Sequence, residues 1–244
     1  MLRAFSDGLF GEAHGQSPAR VLALPGWMRQ RSDFRGVLDG LEAFAIDFPG
    51  FGGASPEPPM AMGAAGYAEL VRPALDACIP PAVVVGHSFG GRVAVHLAAE
   101  HPDKVKGLVL CGVPLLRRDD RPPPKVSLKH KAARWLNRKG VLSDEQMEAR
   151  RRASGSTDYR NASGVMRDVL VRVVNETYEE QLRRITCPVI MVWGADDDAA
   201  PVSTAQRAAA MTVTPAKVTV LAGQGHMVPL TAPDALRAAI DELL

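Results

Sequence analysis

Cysteine is scarce. Cys78, Cys111 and Cys187 are the only three in a chain of 244 residues, and they stand far apart. None belongs to a Cys-x-x-Cys pair or a Cys/His cluster, so a zinc site and a disulfide framework are both excluded. Such an odd, scattered set fits reduced thiols in a cytoplasm. No run of about 18 apolar residues occurs, which excludes a membrane-spanning helix. The opening Met1-Leu2-Arg3-Ala4-Phe5-Ser6-Asp7-Gly8 has no continuous apolar core. It does not read as a secretory signal, and a cytoplasmic location is the expectation. Charge of one sign is missing too: 29 Lys and Arg against 27 Asp and Glu leave +2. No global field marks a nucleic-acid binder. There is no internal repeat, and 22 glycines and 19 prolines follow no collagen-like period.

What remains is ordinary globular material, 46% apolar and 23% charged. That rules out disorder of the whole chain. The length fits one large domain, or one domain with an insertion, and buries a core without disulfide or metal. Short apolar runs rich in β-branched residues predict buried parallel strands at Val21–Leu24, Phe44–Phe48, Val83–Val85, Leu108–Leu110, Val189–Trp193 and Val218–Leu221. Helical patterns at Tyr67–Ala77, Phe89–Glu100, Thr204–Met211 and Pro233–Leu244 alternate with them. The expected class is α/β, a mostly parallel sheet covered by helices on both faces.

The alternation stops between about Pro114 and Ile185. The expected organisation is therefore a core over 1–113 and 186–244 and an inserted helical cap, or lid, over 114–185. Val165, Val169 and Val173, with Met166, Leu170 and Val174, form one apolar helical stripe that packs the insertion onto the body. A further role, roofing a substrate pocket, is open to the same stripe. From Arg117 to Arg152 there are 12 basic against 5 acidic residues, a local +7. This is either a solvated face or an attraction for an anionic substrate or acidic partner.

Chemistry concentrates in Val83-Val84-Val85-Gly86-His87-Ser88-Phe89-Gly90-Gly91. An apolar strand runs straight into Gly-x-Ser-x-Gly and a helix follows, the context that motif requires. At so sharp a reversal the residues two before and two after the serine pass close to it, where Gly86 and Gly90 avoid a Cβ clash. Ser88 is the candidate nucleophile. The amide of Phe89 opens the helix, where the dipole favours developing negative charge. Serine needs a general base, and the base an orienting acid. Of six histidines, His226 follows a strand in a small-residue loop, Gly223-Gln224-Gly225-His226-Met227, before the last helix. It is the candidate base. His87, within the motif, reads as packed and turned away from Ser88. For the acid, the strand ending at Trp193 is followed by Asp196, Asp197 and Asp198, which chemistry alone does not separate. Asp119 and Asp120 are weaker candidates.

With these residues the chain resembles the α/β-hydrolase superfamily, in the order Ser, Asp, His, over about 1–113 and 186–244. The resemblance implies Ser88 as nucleophile and His226 as base. The family's Trp-Gly-x-x-Asp-x-x-x-Pro pattern falls on Trp193, Gly194, Asp197 and Pro201, which selects Asp197. The loop after the first core strand, usually His-Gly-x, is Pro25-Gly26-Trp27 here, so Trp27 becomes the second oxyanion donor beside Phe89. Asp47-Phe48-Pro49-Gly50-Phe51-Gly52 is similar to the family's Asp-x-Pro-Gly-x-Gly turn, with the following serine displaced by one to Ser55. Trp27, Phe89 and Met227 are the candidate substrate contacts. The implied activity is carboxylic ester hydrolysis on a small-molecule substrate, with no metal or organic cofactor and no nucleic-acid or membrane partner, by a monomer or homodimer. Serine at 88 argues against epoxide hydrolase and haloalkane dehalogenase, which use Asp there. Carbon–carbon bond hydrolysis, thioester hydrolysis and N-terminal peptide cleavage are the alternative reactions. A ligand-binding receptor and a scaffold acting through the basic segment are the non-enzymatic ones.

Overall fold

A computed structural model describes residues 1–6, 8–16, 18–51, 55–118, 135, 143, 146 and 157–244. Eight strands form one sheet: β1 (Leu2–Ser6), β2 (Leu9–His14), β3 (Val21–Leu24), β4 (Ala43–Asp47), β5 (Ala82–His87), β6 (Val105–Cys111), β7 (Val189–Gly194) and β8 (Lys217–Leu221). Their spatial order is β1-β2-β4-β3-β5-β6-β7-β8. From β4 to β8 every pairing is parallel. β1 and β2 join antiparallel at one edge. Among the described residues the helices are α1 (Ala64–Asp76), α2 (Phe89–Glu100), α3 (Thr157–Asn161), α4 (Gly164–Val173), α5 (Glu179–Arg184), α6 (Val202–Ala209), α7 (Val228–Thr231) and α8 (Pro233–Leu243), with a 3₁₀ turn at Arg31–Phe34.

The central strands are continuous apolar runs because both sheet faces are buried. Leu22, Leu24 and Val84 enter one core with Tyr67 of α1, Val93 and Leu97 of α2 and Ala205 and Ala208 of α6. Val21, Ala23, Val83 and Val85 enter a second core with Phe34, Val228 of α7 and Leu236 and Ile240 of α8. The α/β architecture with helices on both faces is thus observed. The β1–β2 hairpin was not among the expected strands. β1 is almost wholly exposed, so it carries no buried apolar run. It is fastened from one side, where the Arg3 guanidinium lies over the rings of Phe5 and Phe44.

Within 114–185 the described elements are α3, α4 and α5. On α4 the apolar stripe buries Met166, Val169, Leu170 and Val173, while Val174, just past the helix, is exposed. Polar ties add to this packing. Arg92 of α2 donates to the Val173 carbonyl and stacks over Tyr178. The Tyr178 hydroxyl donates to Glu176 at 2.8 Å, and the same carboxylate accepts the Ala64 amide at the first turn of α1 at 3.1 Å. Most of the basic segment 117–152, and Asp119 and Asp120, lie outside the described residues.

An aromatic cluster fills the space beneath the strand ends. Phe48 touches Phe51, Tyr67 and Phe89 with ring centroids 5.1–5.7 Å apart, and it is fully buried. Truncation there removes both burial and ring contacts. Phe48→Ala is expected to lower unfolding stability by about 3–5 kcal/mol in chemical denaturation; a loss well under 1 kcal/mol would show that the cluster repacks.

Candidate active site

All the singled-out groups sit past the carboxyl ends of parallel strands, where open α/β sheets place their ligand crevices. Trp27 follows β3, Ser88 follows β5, Asp197 follows β7, and His226 follows β8. At Ser88 the backbone turns to φ 49°, ψ −113°, a region that side chains rarely occupy. The turn is pinned on both sides. The Ser88 amide donates to the Cys111 carbonyl of β6 at 3.0 Å, and the Ser88 carbonyl accepts the Gly91 amide at 3.1 Å. A Cβ at Gly86 would lie 2.6 Å from the Gly91 Cα, and one at Gly90 would overlap the Leu24 carbonyl of β3. The two glycines allow the strand, the turn and the helix to approach this closely.

Two loops carry the other groups together. The Ala195 amide donates to the Leu221 carbonyl and the Asp196 amide to the Gln224 carbonyl, each at 2.9 Å. Asp197 is buried, and its side chain is fully engaged. Oδ1 accepts the Ala199 and Ala200 amides at 2.9 and 2.8 Å, which leaves Oδ2 to accept Nδ1–H of His226 at 2.9 Å. This fixes the tautomer of His226 and leaves Nε2 as its basic nitrogen. Asp196 and Asp198 are exposed. The Ser88 hydroxyl makes no hydrogen bond among the described residues; such contacts commonly tighten only when substrate is bound.

The Trp27 loop is held from below. Arg29 grips Asp33 with Nε–Oδ2 at 2.6 Å and Nη2–Oδ1 at 2.9 Å. Buried Asp47 accepts the Arg31 amide at 2.7 Å and also pairs with its guanidinium. Met28 takes φ 51°. Among the described residues neither the Trp27 nor the Phe89 backbone N–H is spent on another group. The Trp27 ring, half-buried, lies 4.9 Å from Phe51 and 5.8 Å from Phe89, which roots it in the aromatic cluster. Met227 is half-buried beside His226, and its carbonyl closes α7 by accepting the Leu230 amide.

Gly112 escaped the sequence reading, and His87, expected to be packed, also makes a polar contact that the sequence did not indicate. Gly112, just past β6, has φ +59°, and a Cβ there would stand 3.0 Å from His226 Nδ1 and 3.1 Å from Asp197 Oδ2. A glycine closing a strand was the available signal. His87 is fully buried, and its Nε2 lies 2.9 Å from the His226 carbonyl oxygen. Burial first, and the neighbouring His226 second, push its ring from 6.5 down to about 4. Among the described residues there is no cluster of metal-ligating side chains and no helix long and apolar enough to cross a membrane.

A sequence model of the alpha/beta hydrolase family matches residues 21–239. The chain belongs to that family. The pimeloyl acyl-carrier protein methyl ester esterase of Chromobacterium violaceum is 41% identical over 121 residues, which cover 47% of this chain and 45% of that protein. This match thus spans less than half of the relative's length. The uncharacterized hydrolase YugF of Bacillus subtilis is 25% identical over 257 residues, covering 95% of this chain and 92% of that one. Among solved structures, a hydrolase from Pseudomonas aeruginosa superposes with a TM-score of 0.70 at 23% identity, over 100% of this chain and 97% of that chain.

Two substitutions probe this geometry without assuming a reaction. Gly112→Ala meets both a positive φ and the Asp197–His226 pair. It should cost about 1–2 kcal/mol in urea denaturation, and an unchanged midpoint would mean that the backbone at 112 relaxes freely. For His87 the depressed pKa means that the unfolded chain takes up a proton the folded ring refuses. The stability held by the neutral ring is full above pH 6.5 and is lost as the pH falls toward 4. Relative to His87→Gln, the native protein should therefore lose up to about 3 kcal/mol across that window. Parallel stability curves for the two would contradict a buried neutral ring.

Proposed function

We propose that the protein is a serine hydrolase that cleaves carboxylic esters through an acyl-enzyme on Ser88. The observation that carries this reading is the hydrogen bond from His226 Nδ1 to a buried, fully engaged Asp197, at the same sheet rim as a serine in a positive-φ turn. His226 takes the Ser88 proton at Nε2 while the serine oxygen attacks the ester carbonyl carbon. The resulting oxyanion accepts hydrogen bonds from the Trp27 and Phe89 amides. His226 then returns the proton to the departing alcohol. Water, deprotonated by the same nitrogen, attacks the acyl-enzyme, and collapse of the second tetrahedral intermediate releases the acid and restores Ser88. Asp197 keeps the imidazole in the required tautomer and stabilises it when charged.

An ester substrate is also what the name of the Chromobacterium violaceum relative specifies. Ester chemistry needs only the groups named here, without a resident cofactor. In this reading the described helices α3, α4 and α5 belong to a cap beside the site. Met166 on α4 reaches the Gly50 turn and the Tyr67 hydroxyl, which anchors the cap's base to the aromatic cluster under Trp27.

The test is turnover of p-nitrophenyl acetate and butyrate. The wild type should hydrolyse both, and Ser88→Ala should abolish this while keeping its melting temperature. Asp197→Asn should lower kcat by about 10⁴-fold through the wrong tautomer. Asp196→Asn and Asp198→Asn should stay within about twofold of wild type, as exposed side chains, whereas it is Asp197 that hydrogen-bonds the imidazole. A fluorophosphonate should label Ser88. Undiminished hydrolysis by Ser88→Ala would end the proposal.

A further inference from the structure

His87 does more than fill space. It is the last residue of β5, so its backbone continues directly into the Ser88 turn. Its ring is buried and touches two of the other loops of the site. On one side Nε2 meets the His226 carbonyl oxygen at 2.9 Å, with the two imidazole rings 4.9 Å apart. On the other side the ring lies flush against the Trp27 loop, since a Cβ at Gly26 would come within 2.8 Å of Nδ1.

The chemistry of these contacts fixes the ring's state. A carbonyl oxygen only accepts, so Nε2 carries the hydrogen and donates it. Nδ1 is then a bare lone pair, and it is buried with no hydrogen-bond partner among the described residues. A second proton there would be a buried N–H without an acceptor, which is costly. The ionisable groups around the ring are His226, Asp33 and Asp197. Asp33 is already held by Arg29 and Asp197 by His226. The ring therefore stays neutral and keeps a single donor, directed at the backbone of the proposed base.

Building on the serine-hydrolase reading, we infer that His87 is a positioning residue: by donating from Nε2 to the His226 carbonyl, it ties the base's loop to the strand that ends in Ser88. Asp197 fixes the rotation and tautomer of the His226 ring. His87 fixes the backbone from which that ring projects. One short covalent step and one hydrogen bond thereby connect nucleophile and base, without passing through the long loops of the chain. Neutrality also matters, because a charged ring 4.9 Å away would oppose the imidazolium that His226 forms during turnover.

The test separates the donor from the shape. His87→Phe keeps a flat ring without a donor. In His87→Gln the side-chain amide places an N–H near the Nε2 position. In His87→Asn the amide matches Nδ1 and does not reach the carbonyl. Kinetics with p-nitrophenyl butyrate, fluorophosphonate labelling rates and melting temperatures are measured on each full-length variant. His87→Phe and His87→Asn should lose about 10–100-fold in kcat with KM within about twofold, and label correspondingly slowly. His87→Gln should return to within about fivefold of wild type. If His87→Phe fails to fold, Gln against Asn decides alone. Wild-type rates in His87→Phe, or equal losses in Gln and Asn, overturn the positioning role while Ser88 labelling of the wild type leaves the hydrolase reading intact. A wild type that neither turns over nor labels would overturn the hydrolase reading itself, and this inference with it.

Discussion

Crowding at one strand-to-helix reversal organises this molecule. Holding Ser88 at φ 49° costs of the order of 1–3 kcal/mol, and it persists only because the surroundings leave no alternative. Those surroundings are extensive. β6 supplies the Cys111 carbonyl for the Ser88 amide, β3 passes against Gly90, and α2 starts at once and is buried along nearly its whole length. A side chain at Gly86 or Gly90 would force β3, β5 and α2 apart. Both hydrophobic cores meet the same strands, so the turn and the cores stand or fall together.

Around that fixed point the remaining groups arrive on loops, and each loop is tied separately. Arg29, Asp33 and Asp47 hold the Trp27 segment. The Ala199 and Ala200 amides hold Asp197, and the Asp196–Gln224 backbone contact joins the β7 and β8 loops. His87 links the third loop back to the central strand. The rim is therefore a set of short tethers to a rigid sheet, and a polar constellation held in this way needs little reorganisation when charge develops.

Legibility from sequence followed locality. The strands β3 to β7 and α2 stood out because burial on both faces writes a nearly unbroken apolar run, while the edge strand β8, which has no buried residue, was legible from its β-branched residues alone. The Trp193-Gly194-x-x-Asp197-x-x-x-Pro201 spacing singled out the aspartate that pairs with His226, where three adjacent carboxylates were chemically alike. Other features depended on distant residues and left no local trace. α1 begins at Ala64 rather than near Tyr67, and Glu176, 112 positions further on, satisfies its first amide. The exposed β1 edge showed no periodic burial to read. Gly112 looks like any strand-ending glycine until the Asp197–His226 pair is seen above it. His87 looked like packing because its partner is a backbone carbonyl, which carries no residue identity.

The burial of α2 has a consequence for how such a protein can change over time. From Phe89 to Ala99 every residue is enclosed. Neutral drift is therefore nearly closed to this helix and to the strands beneath it. New substrate preferences must instead be acquired at exposed positions of the peripheral connections, where a substitution disturbs the scaffold least. The centre evolves slowly because it is packed on all sides, so diversification in descendants of this chain belongs to its periphery.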